Sequence, residues 1–304
     1  MMREDNDRAG FPFSPSEFWR NEASNFDTVF ESAGINSVED EYFNTRFHGI
    51  ERNDPRLYEW FVSVFWRYLR ERDRLGLLQR LDSTLNLRSK YFFLVNGERI
   101  EFGPPVWVEN RQVSPDLLFS IYDFYNLLEL NPALATEPLI VGDLGAGWGR
   151  IGYVLLHANP RAHYVIFDIP ESLLISSTYL PGHFPEHSSS GYDESKRIGK
   201  LDRDRLLTKS MWFLGAQDLA RLPAHGVDFM VNVASFQEMN AAQVNRYIEL
   251  FDEVAFGGHV YLRNGWVGVS SSFAEYSIPV EWIVRFRRNT AFSAGHVEAG
   301  YRVT

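Results

Sequence analysis

Residues 139–150 read Leu-Ile-Val-Gly-Asp-Leu-Gly-Ala-Gly-Trp-Gly-Arg, and this stretch decides the fold. Its short apolar run predicts a strand that ends in an acid, Asp143, and helix-like residues follow from about Arg150 to His157. Between the two, glycines stand at alternate positions: Gly145, Gly147 and Gly149. A strand, a tight glycine turn and a helix N-terminus together can hold a nucleoside ligand against backbone amides.

The acid before the glycine turn indicates the charge of that ligand. Asp143 stands two residues before Gly145, so the site suits a cation and would repel a pyrophosphate. S-adenosylmethionine carries an ammonium and a sulfonium, and we predict that it is the cofactor. Gly147, Gly149 and Gly152 also match the G-x-G-x-x-G spacing of dinucleotide folds, but there the first glycine directly follows the strand, as Gly145 does here. A dinucleotide site and a purely structural turn remain alternatives.

A second apolar run, at residues 164–168, also ends in an acid. In nucleoside-binding α/β folds an acid at the tip of the second strand binds both ribose hydroxyls, which is the role predicted for Asp168. It lies 19 residues after Gly149, about the length of one helix and one strand. Ile169 is then expected beside the adenine ring. The alternative is an exposed carboxylate at a strand end.

The composition limits the classes of protein and of partner. The chain has 304 residues, a formal net charge of −10 and no cysteine. The acidic balance argues against nucleic acid as the main partner, and the lack of cysteine excludes disulfides and thiolate catalysis. Because no run is long enough to span a bilayer and the N-terminus is polar, we expect a cytoplasmic protein with no membrane partner. The basic cluster of Arg285, Arg287 and Arg288 is expected to be a solvated strand face.

Two regions differ in character, residues 1–136 and residues 137–304. The first is predicted to be mostly helical with one β-hairpin: residues 55–72 carry an apolar stripe at helical spacing, and Asn96-Gly97 suits a type I′ turn. Ser114-Pro115 has the pattern of an N-cap followed by the first helical residue. We expect this region to cap the active site, to form the face of a homodimer, or both.

From residue 138 onward strands alternate with helices, which predicts a Rossmann-like, doubly wound α/β sheet. Seven strands are predicted, at residues 139–144, 164–168, 210–214, 227–233, 258–263, 280–286 and 298–304. The last two are close in sequence and could form an antiparallel pair at a sheet edge, which is the architecture of S-adenosylmethionine methyltransferases. A nicotinamide fold would more often continue with a further crossover.

The polar stretch at residues 181–204 is predicted to be a lid or disordered. It contains His183 and His187, a spacing that could bind a metal on a helix. Glycine, proline and serine nearby argue against a helix, and the chain has no compact carboxylate cluster. We therefore predict no essential metal.

Polar residues at the ends of the later strands complete the predicted crevice, because open α/β sheets bind ligands at the carboxyl ends of their strands. After the third strand, Gln217 or Asp218 could accept a hydrogen bond from the adenine amino group, although Asp218 could equally cap a helix. Asn232 lies within the fourth strand and is also predicted to contact the cofactor.

The loop after the fourth strand holds the candidates for catalysis. Glu238 is predicted to be the general base or to orient the acceptor, with Gln237 and Asn264 positioning hydroxyls. The alternative for Glu238 is a helix acid in the first turn. Four aromatic residues could line a sugar or another ring acceptor, although each alone fits a core position as well: Trp107, Tyr122, Tyr125 and Trp266.

Together these motifs resemble the bacterial sugar O-methyltransferase family. The resemblance is carried by the glycine turn at 143–149, by Phe-Asp-Ile-Pro-Glu-Ser-Leu at 167–173 with Tyr179-Leu180 after it, and by Ser-Phe-Gln-Glu-Met at 235–239. It is good from about Leu139 to Asn264 and says little about residues 1–50. Two departures are Ile169, where leucine is expected, and Asp143, where glutamate is commoner.

The resemblance implies a class I S-adenosylmethionine-dependent O-methyltransferase acting on a hydroxyl of a sugar or sugar-containing small molecule, in polysaccharide or natural-product biosynthesis. Three other functions stay open. The chain could methylate an amine or hydroxyl of a non-sugar natural product, it could be a nicotinamide-dependent oxidoreductase that binds NAD, or it could be a scaffold without activity.

Overall fold

The computed structural model describes residues 55–81, 92–95, 98–101, 106–198, 201–266, 270–292 and 295–304. The described chain forms two compact units, one within residues 55–125 and the other within residues 126–304. The division falls inside the helix Pro115–Leu130. The roles predicted for residues 1–136, a cap or a dimer face, stay predictions.

Helices and short hairpins make up the unit at residues 55–125. Its elements are α1 (Pro55–Arg70), α2 (Leu77–Arg80), β1 (Phe92–Val95), β2 (Glu98–Glu101), β3 (Val106–Val108), β4 (Arg111–Val113) and the first part of α3 (Pro115–Leu130). Strands β1 and β2 pair antiparallel as predicted, and the predicted turn at Asn96-Gly97 lies outside the described residues. The predicted N-cap of α3 is confirmed, because the Leu117 amide donates to Ser114 Oγ at 3.2 Å.

An eight-stranded sheet dominates the unit at residues 126–304. Its strands are β5 (Ile140–Leu144), β6 (His163–Asp168), β7 (Ser189–Ser190), β8 (Met211–Gly215), β9 (Phe229–Val233), β10 (His259–Gly265), β11 (Ile283–Asn289) and β12 (His296–Arg302). The helices between them are α4 (Arg150–Ala158), α5 (Pro170–His183), α6 (Tyr192–Arg197), α7 (Arg203–Leu206) and α8 (Ala241–Val254). The strand order is β11-β12-β10-β9-β5-β6-β8-β7. Strand β12 runs antiparallel to both of its neighbours, and the other pairs are parallel.

Among the described residues, the sheet has one strand more than the seven that the sequence predicts. Each of the seven predicted strands has a counterpart in the sheet, and the last two form the antiparallel edge pair β11–β12. The additional strand, β7, consists of two serines that pair with β8. Because it has no apolar alternation, the sequence gives no sign of it.

The described parts of the stretch at 181–204, residues 181–198 and 201–204, hold more regular structure than the sequence predicts. Helix α5 continues through Pro181 to His183, and β7 and α6 follow. The prediction that His183 lies outside a helix is therefore wrong. Helix α6 is anchored by Tyr192, whose side chain is buried although the residues around it in the sequence are polar.

Burial follows the position of each strand in the sheet. Strands β5, β8, β9 and β10 are buried along their whole length, as is typical of parallel strands covered on both faces. The edge strand β11 is largely exposed, and Arg285 and Arg287 lie on it as predicted. Arg288 is exposed as well, and in addition its Nε donates at 2.6 Å to the fully buried Glu298.

Two absences apply to the part of the chain that the structure describes. Within it, no three His, Asp or Glu side chains come together as a metal site. None of its helices combines the length and the apolar character needed to cross a membrane.

Candidate functional site

The strand order puts one crevice at the carboxyl ends of β5 and β9. These strands are neighbours, and the chain leaves them in opposite directions, through β6 and β8 on one side and through β10 on the other. Such a topological switch point is where open α/β sheets bind their ligands. Residues after Leu144, Asp168 and Val233 therefore meet at the same edge of the sheet.

All three glycines of the turn after β5 have positive φ, which side chains with a Cβ adopt only at a cost. The values are 74° for Gly145, 60° for Gly147 and 88° for Gly149. A Cβ on Gly145 would overlap Oγ and Cβ of Ser235 in the loop after β9. The backbone conformation thus favours glycine at all three positions, and the close approach of the two loops requires it at Gly145. Gly149 is the N-cap of α4, so the first amides of this helix point toward the crevice.

Asp168 ties the tip of β6 to the glycine turn. The Gly147 amide donates to its Oδ2 at 2.8 Å, and the Ile169 amide donates to its Oδ1 at 2.7 Å. A carboxylate has about four acceptor positions in all. This capacity suits the two hydroxyls of a ribose. Ile169, the N-cap of α5, is buried beside it.

Asp143 has a different setting from the one expected of a residue that faces a cation. It is buried, and the hydroxyl of Tyr164 on the neighbouring strand donates to its Oδ2. Burial and the Asp143 carboxylate raise the pKa of Tyr164 well above its usual value. Gly152 makes this contact possible, because a Cβ there would overlap the Tyr164 ring. Asp143 therefore joins β5 to β6 beneath the turn, a role that the sequence analysis missed.

Three predicted site residues form a polar network that supports the loop after β9. Asn232 donates through Nδ2 to the Leu144 carbonyl at 2.8 Å, and its Oδ1 accepts from Asn264 Nδ2 at 3.0 Å. Gln237 Oε1 accepts from the Gly265 amide at 2.6 Å. Asn232 and Asn264 are fully buried. These contacts hold the loop after β9 in place. The roles predicted for Asn232 at the cofactor and for Gln237 and Asn264 at an acceptor stay predictions.

Glu238 lies on the predicted loop, in the single 3-10 turn Phe236–Glu238. Its side chain is buried, and its backbone amide donates to the Ser235 carbonyl at 3.0 Å. Ala234, at the start of this loop, has a φ of 59°, a conformation rare for a residue with a Cβ and often found at functional sites. Nothing in the sequence marks Ala234. The only sign of Ser235 in the sequence is indirect: the glycine at position 145 leaves room for its side chain.

The two candidates after β8 differ in their availability to a ligand. Asp218 uses one carboxylate oxygen for the Gly215 amide at 3.1 Å and the other for Arg221 at 2.8 Å. It caps the 3-10 helix Ala216–Arg221, which is the alternative role that the sequence predicts for it, and adenine binding stays a prediction. Gln217 donates through Nε2 to the Tyr192 hydroxyl at 3.2 Å, and its buried Oε1 has no hydrogen-bond partner.

The aromatic residues predicted to line an acceptor are spread over both units. Trp107, Tyr122 and Tyr125 belong to the unit at residues 55–125, where Tyr122 is buried and Tyr125 donates to Asp73 at 2.5 Å. Trp266 directly follows β10 at the carboxyl edge of the sheet and is 48% exposed. Among the four, Trp266 is therefore the one that belongs to the unit with the crevice.

No protein-family model matches this sequence, and no curated protein matches it. The sugar O-methyltransferase resemblance therefore stays a prediction. Solved structures with a similar chain path include the PH0226 protein of Pyrococcus horikoshii, with a TM-score of 0.41 and 9% identity over 59% of this chain and 87% of that chain. A SAM-dependent methyltransferase of Aquifex aeolicus gives a TM-score of 0.36 and 14% identity, over 60% of this chain and 98% of its own. Human N-acetylserotonin methyltransferase in complex with SAM gives 0.37 and 12%, over 62% of this chain and 55% of the human chain.

Proposed function

We propose that this chain is an S-adenosylmethionine-dependent methyltransferase. The observation that carries the proposal is the Asp168 carboxylate, which accepts the Gly147 amide at 2.8 Å at the switch point of the sheet. This hydrogen bond puts an acceptor for a ribose diol directly beside a turn of positive-φ glycines. The antiparallel pair β11–β12 at the sheet edge also agrees with the methyltransferase architecture.

The residues around the crevice fit this cofactor. Asp168 is a buried carboxylate acceptor at the tip of β6, and Gln217 Oε1 is a buried acceptor that lacks a donor. Asp143 is hydrogen-bonded to Tyr164 and does not itself face the crevice in this proposal, but its negative charge beneath the turn would disfavour a pyrophosphate. When bound, S-adenosylmethionine supplies a methyl group on a positively charged sulfur.

The dinucleotide alternative fits less well. Counted from Gly145, the first glycine after the strand, the third small residue of the dinucleotide motif would fall on Arg150. Gly152, which completes the other match to that motif, is explained by the Tyr164 ring against it. The glycines thus have structural reasons in this fold that do not involve a pyrophosphate.

We further propose that the acceptor is a hydroxyl of a small molecule, and specifically of a sugar. Glu238 on the loop after β9 would take the proton as the acceptor oxygen attacks, and the Asn232–Asn264–Gln237 network would hold that loop in place. Exposed Trp266 offers a flat surface for a sugar ring. The sugar itself rests on the sequence resemblance, and a non-sugar natural product is the alternative.

Thermal unfolding with S-adenosylhomocysteine and, in parallel, with NAD tests the cofactor. A ligand at 100 times its Kd adds about 2.7 kcal/mol of stability, which gives a clear shift of Tm. We expect a shift with S-adenosylhomocysteine alone. The variant Asp168→Ala should lose this shift, and Asp204→Ala, which removes an exposed carboxylate, should keep it. A shift with NAD alone would refute the proposal.

A further inference from the structure

We propose that Tyr192 fixes the orientation of the Gln217 side-chain amide and that this amide selects a 6-aminopurine over a 6-oxopurine. The inference rests on the proposed methyltransferase function and extends it to a residue on α6, outside the glycine turn and the strand tips. Tyr192 is a positioning residue in this proposal, because it acts on the ligand through Gln217.

The amide lies beside the carboxylate assigned to the ribose. A Cβ on Gly215 would stand 2.6 Å from Gln217 Oε1, so the amide covers the backbone of Gly215. Gly215 pairs in register with Asp168 on the neighbouring strand. Neighbouring strands are about 5 Å apart, so the amide and the Asp168 carboxylate can contact the base and the ribose of one nucleoside.

The two ends of the amide have opposite hydrogen-bonding character. Its donor end, Nε2, is held by the Tyr192 hydroxyl at 3.2 Å, which leaves the acceptor end, Oε1, without a partner. The amino group of adenine would supply the missing donor. The carbonyl of a 6-oxopurine would instead bring a second acceptor against Oε1. If the amide turned over, Nε2 would face the ligand and the preference would reverse.

Tyr192 is held firmly enough to act in this way. Its side chain is 5% exposed. On the same helix, Ser195 Oγ donates to the Tyr192 carbonyl at 2.6 Å, and Lys196 Nζ lies 5.1 Å from the ring centroid. Helix α6 therefore presents a fixed hydroxyl to Gln217.

Isothermal titration of the full chain with S-adenosylhomocysteine and with S-inosylhomocysteine measures the selectivity. The second ligand differs in having a carbonyl in place of the 6-amino group. We expect the wild-type protein to bind S-adenosylhomocysteine about 10- to 100-fold more tightly, as is typical when a buried polar group loses its partner. In Tyr192→Phe this ratio should fall about tenfold while S-adenosylhomocysteine still binds.

A second variant, Gly215→Ala, displaces the Gln217 amide without changing Tyr192. Gly215 has φ −65° and ψ 151°, which alanine adopts freely, so Gly215→Ala should fold and displace only the flexible end of Gln217. Gly215→Ala should lower the ratio of the two affinities as Tyr192→Phe does. If Tyr192→Phe fails to fold, Gly215→Ala still tests the inference. Tyr301→Phe is the matched control, because it deletes the hydroxyl of another buried tyrosine, on β12, and should keep the ratio.

Three results would overturn the inference. They are equal affinity of the wild-type protein for both ligands, a preference for S-inosylhomocysteine, and an unchanged ratio in both Tyr192→Phe and Gly215→Ala. In all three the cofactor still binds, so the proposed function survives. Failure of the wild-type protein to bind either ligand would instead refute the proposed function and this inference with it.

Discussion

Replacing Gly145 by alanine tests how tightly the loops after β5 and β9 are packed together. Gly145 has a φ of 74°, and its missing Cβ leaves the space that Ser235 fills. Ser235 has little room to retreat, because it is buried and follows Ala234, which is itself at positive φ. The substitution therefore imposes both a backbone strain and a steric overlap.

The expected cost is the sum of these two effects. An L-residue in the left-handed region costs about 1–2 kcal/mol, and overpacking of a buried site costs about 1–3 kcal/mol. Alanine reduces the entropy of the unfolded chain, which returns about 0.4–1 kcal/mol. We expect Gly145→Ala to lower the free energy of unfolding by about 2–4 kcal/mol.

Gly295→Ala separates the two effects. Gly295 has a similar φ of 78°, but a Cβ there meets nothing within 4 Å. It should cost about 1 kcal/mol, from the backbone alone. Urea unfolding of both variants gives the difference between them, which is the steric part.

Adding Ser235→Gly to Gly145→Ala should recover most of this steric part, as a coupling energy between contacting residues of about 1–3 kcal/mol. Equal stability of Gly145→Ala and Gly295→Ala, or a double variant without recovery, would show that the two loops do not meet as closely as the structure has them.

Further predictions concern activity and pH. Glu238→Gln should lower turnover by about two to four orders of magnitude while S-adenosylhomocysteine affinity is kept, and near-normal turnover would exclude Glu238 as the base. Trp266→Ala should raise the KM of a ring acceptor about three- to tenfold, whereas Phe256→Ala, which removes another exposed aromatic ring, should not; equal effects would exclude stacking on Trp266. Burial, followed by the charges of Arg302 and Arg285, lowers the pKa of His259 to about 4 from its ordinary value near 6.5, so the unfolded chain takes up this proton first as pH falls. The resulting stability is present above pH 6.5 and is lost toward pH 4, on the order of 2 kcal/mol; His259→Phe should flatten the pH dependence of the urea midpoint over this window, and an unchanged slope would contradict the assignment.

The sequence predicts those parts of the fold that are written in local patterns. Buried parallel strands are continuous apolar runs, so β5, β6, β8 and β9 can be predicted directly. The glycine turn can also be predicted, because its three alternate glycines mark positions where the backbone needs a positive φ. Strand β7 escapes prediction because two serines form a strand only when β8 is already beside them.

The site is harder to predict, because its polar groups depend on which strands become neighbours. The sequence predicts Asn232 at the cofactor and Asn264 at an acceptor hydroxyl, but it does not show that the pairing of β9 with β10 brings their amides together. Likewise Asp143 meets the Tyr164 hydroxyl only through the register of β5 on β6. A polar residue at the end of a strand thus indicates that its side chain has a hydrogen-bond partner. Whether that partner is a ligand or a neighbouring strand depends on the order and register of the strands in the sheet.

The hydrogen bond from Asn232 to the Leu144 carbonyl spans 88 residues of sequence and has a consequence for synthesis of the chain. When the ribosome has synthesised the glycine turn and Asp168, strand β9, which carries Asn232, has not yet been made. The binding pocket therefore closes only after β9 and β10 have emerged and paired, late in translation. A nascent chain that stops short of residue 232 therefore lacks the hydrogen bond that holds the Leu144 carbonyl at the start of the glycine turn.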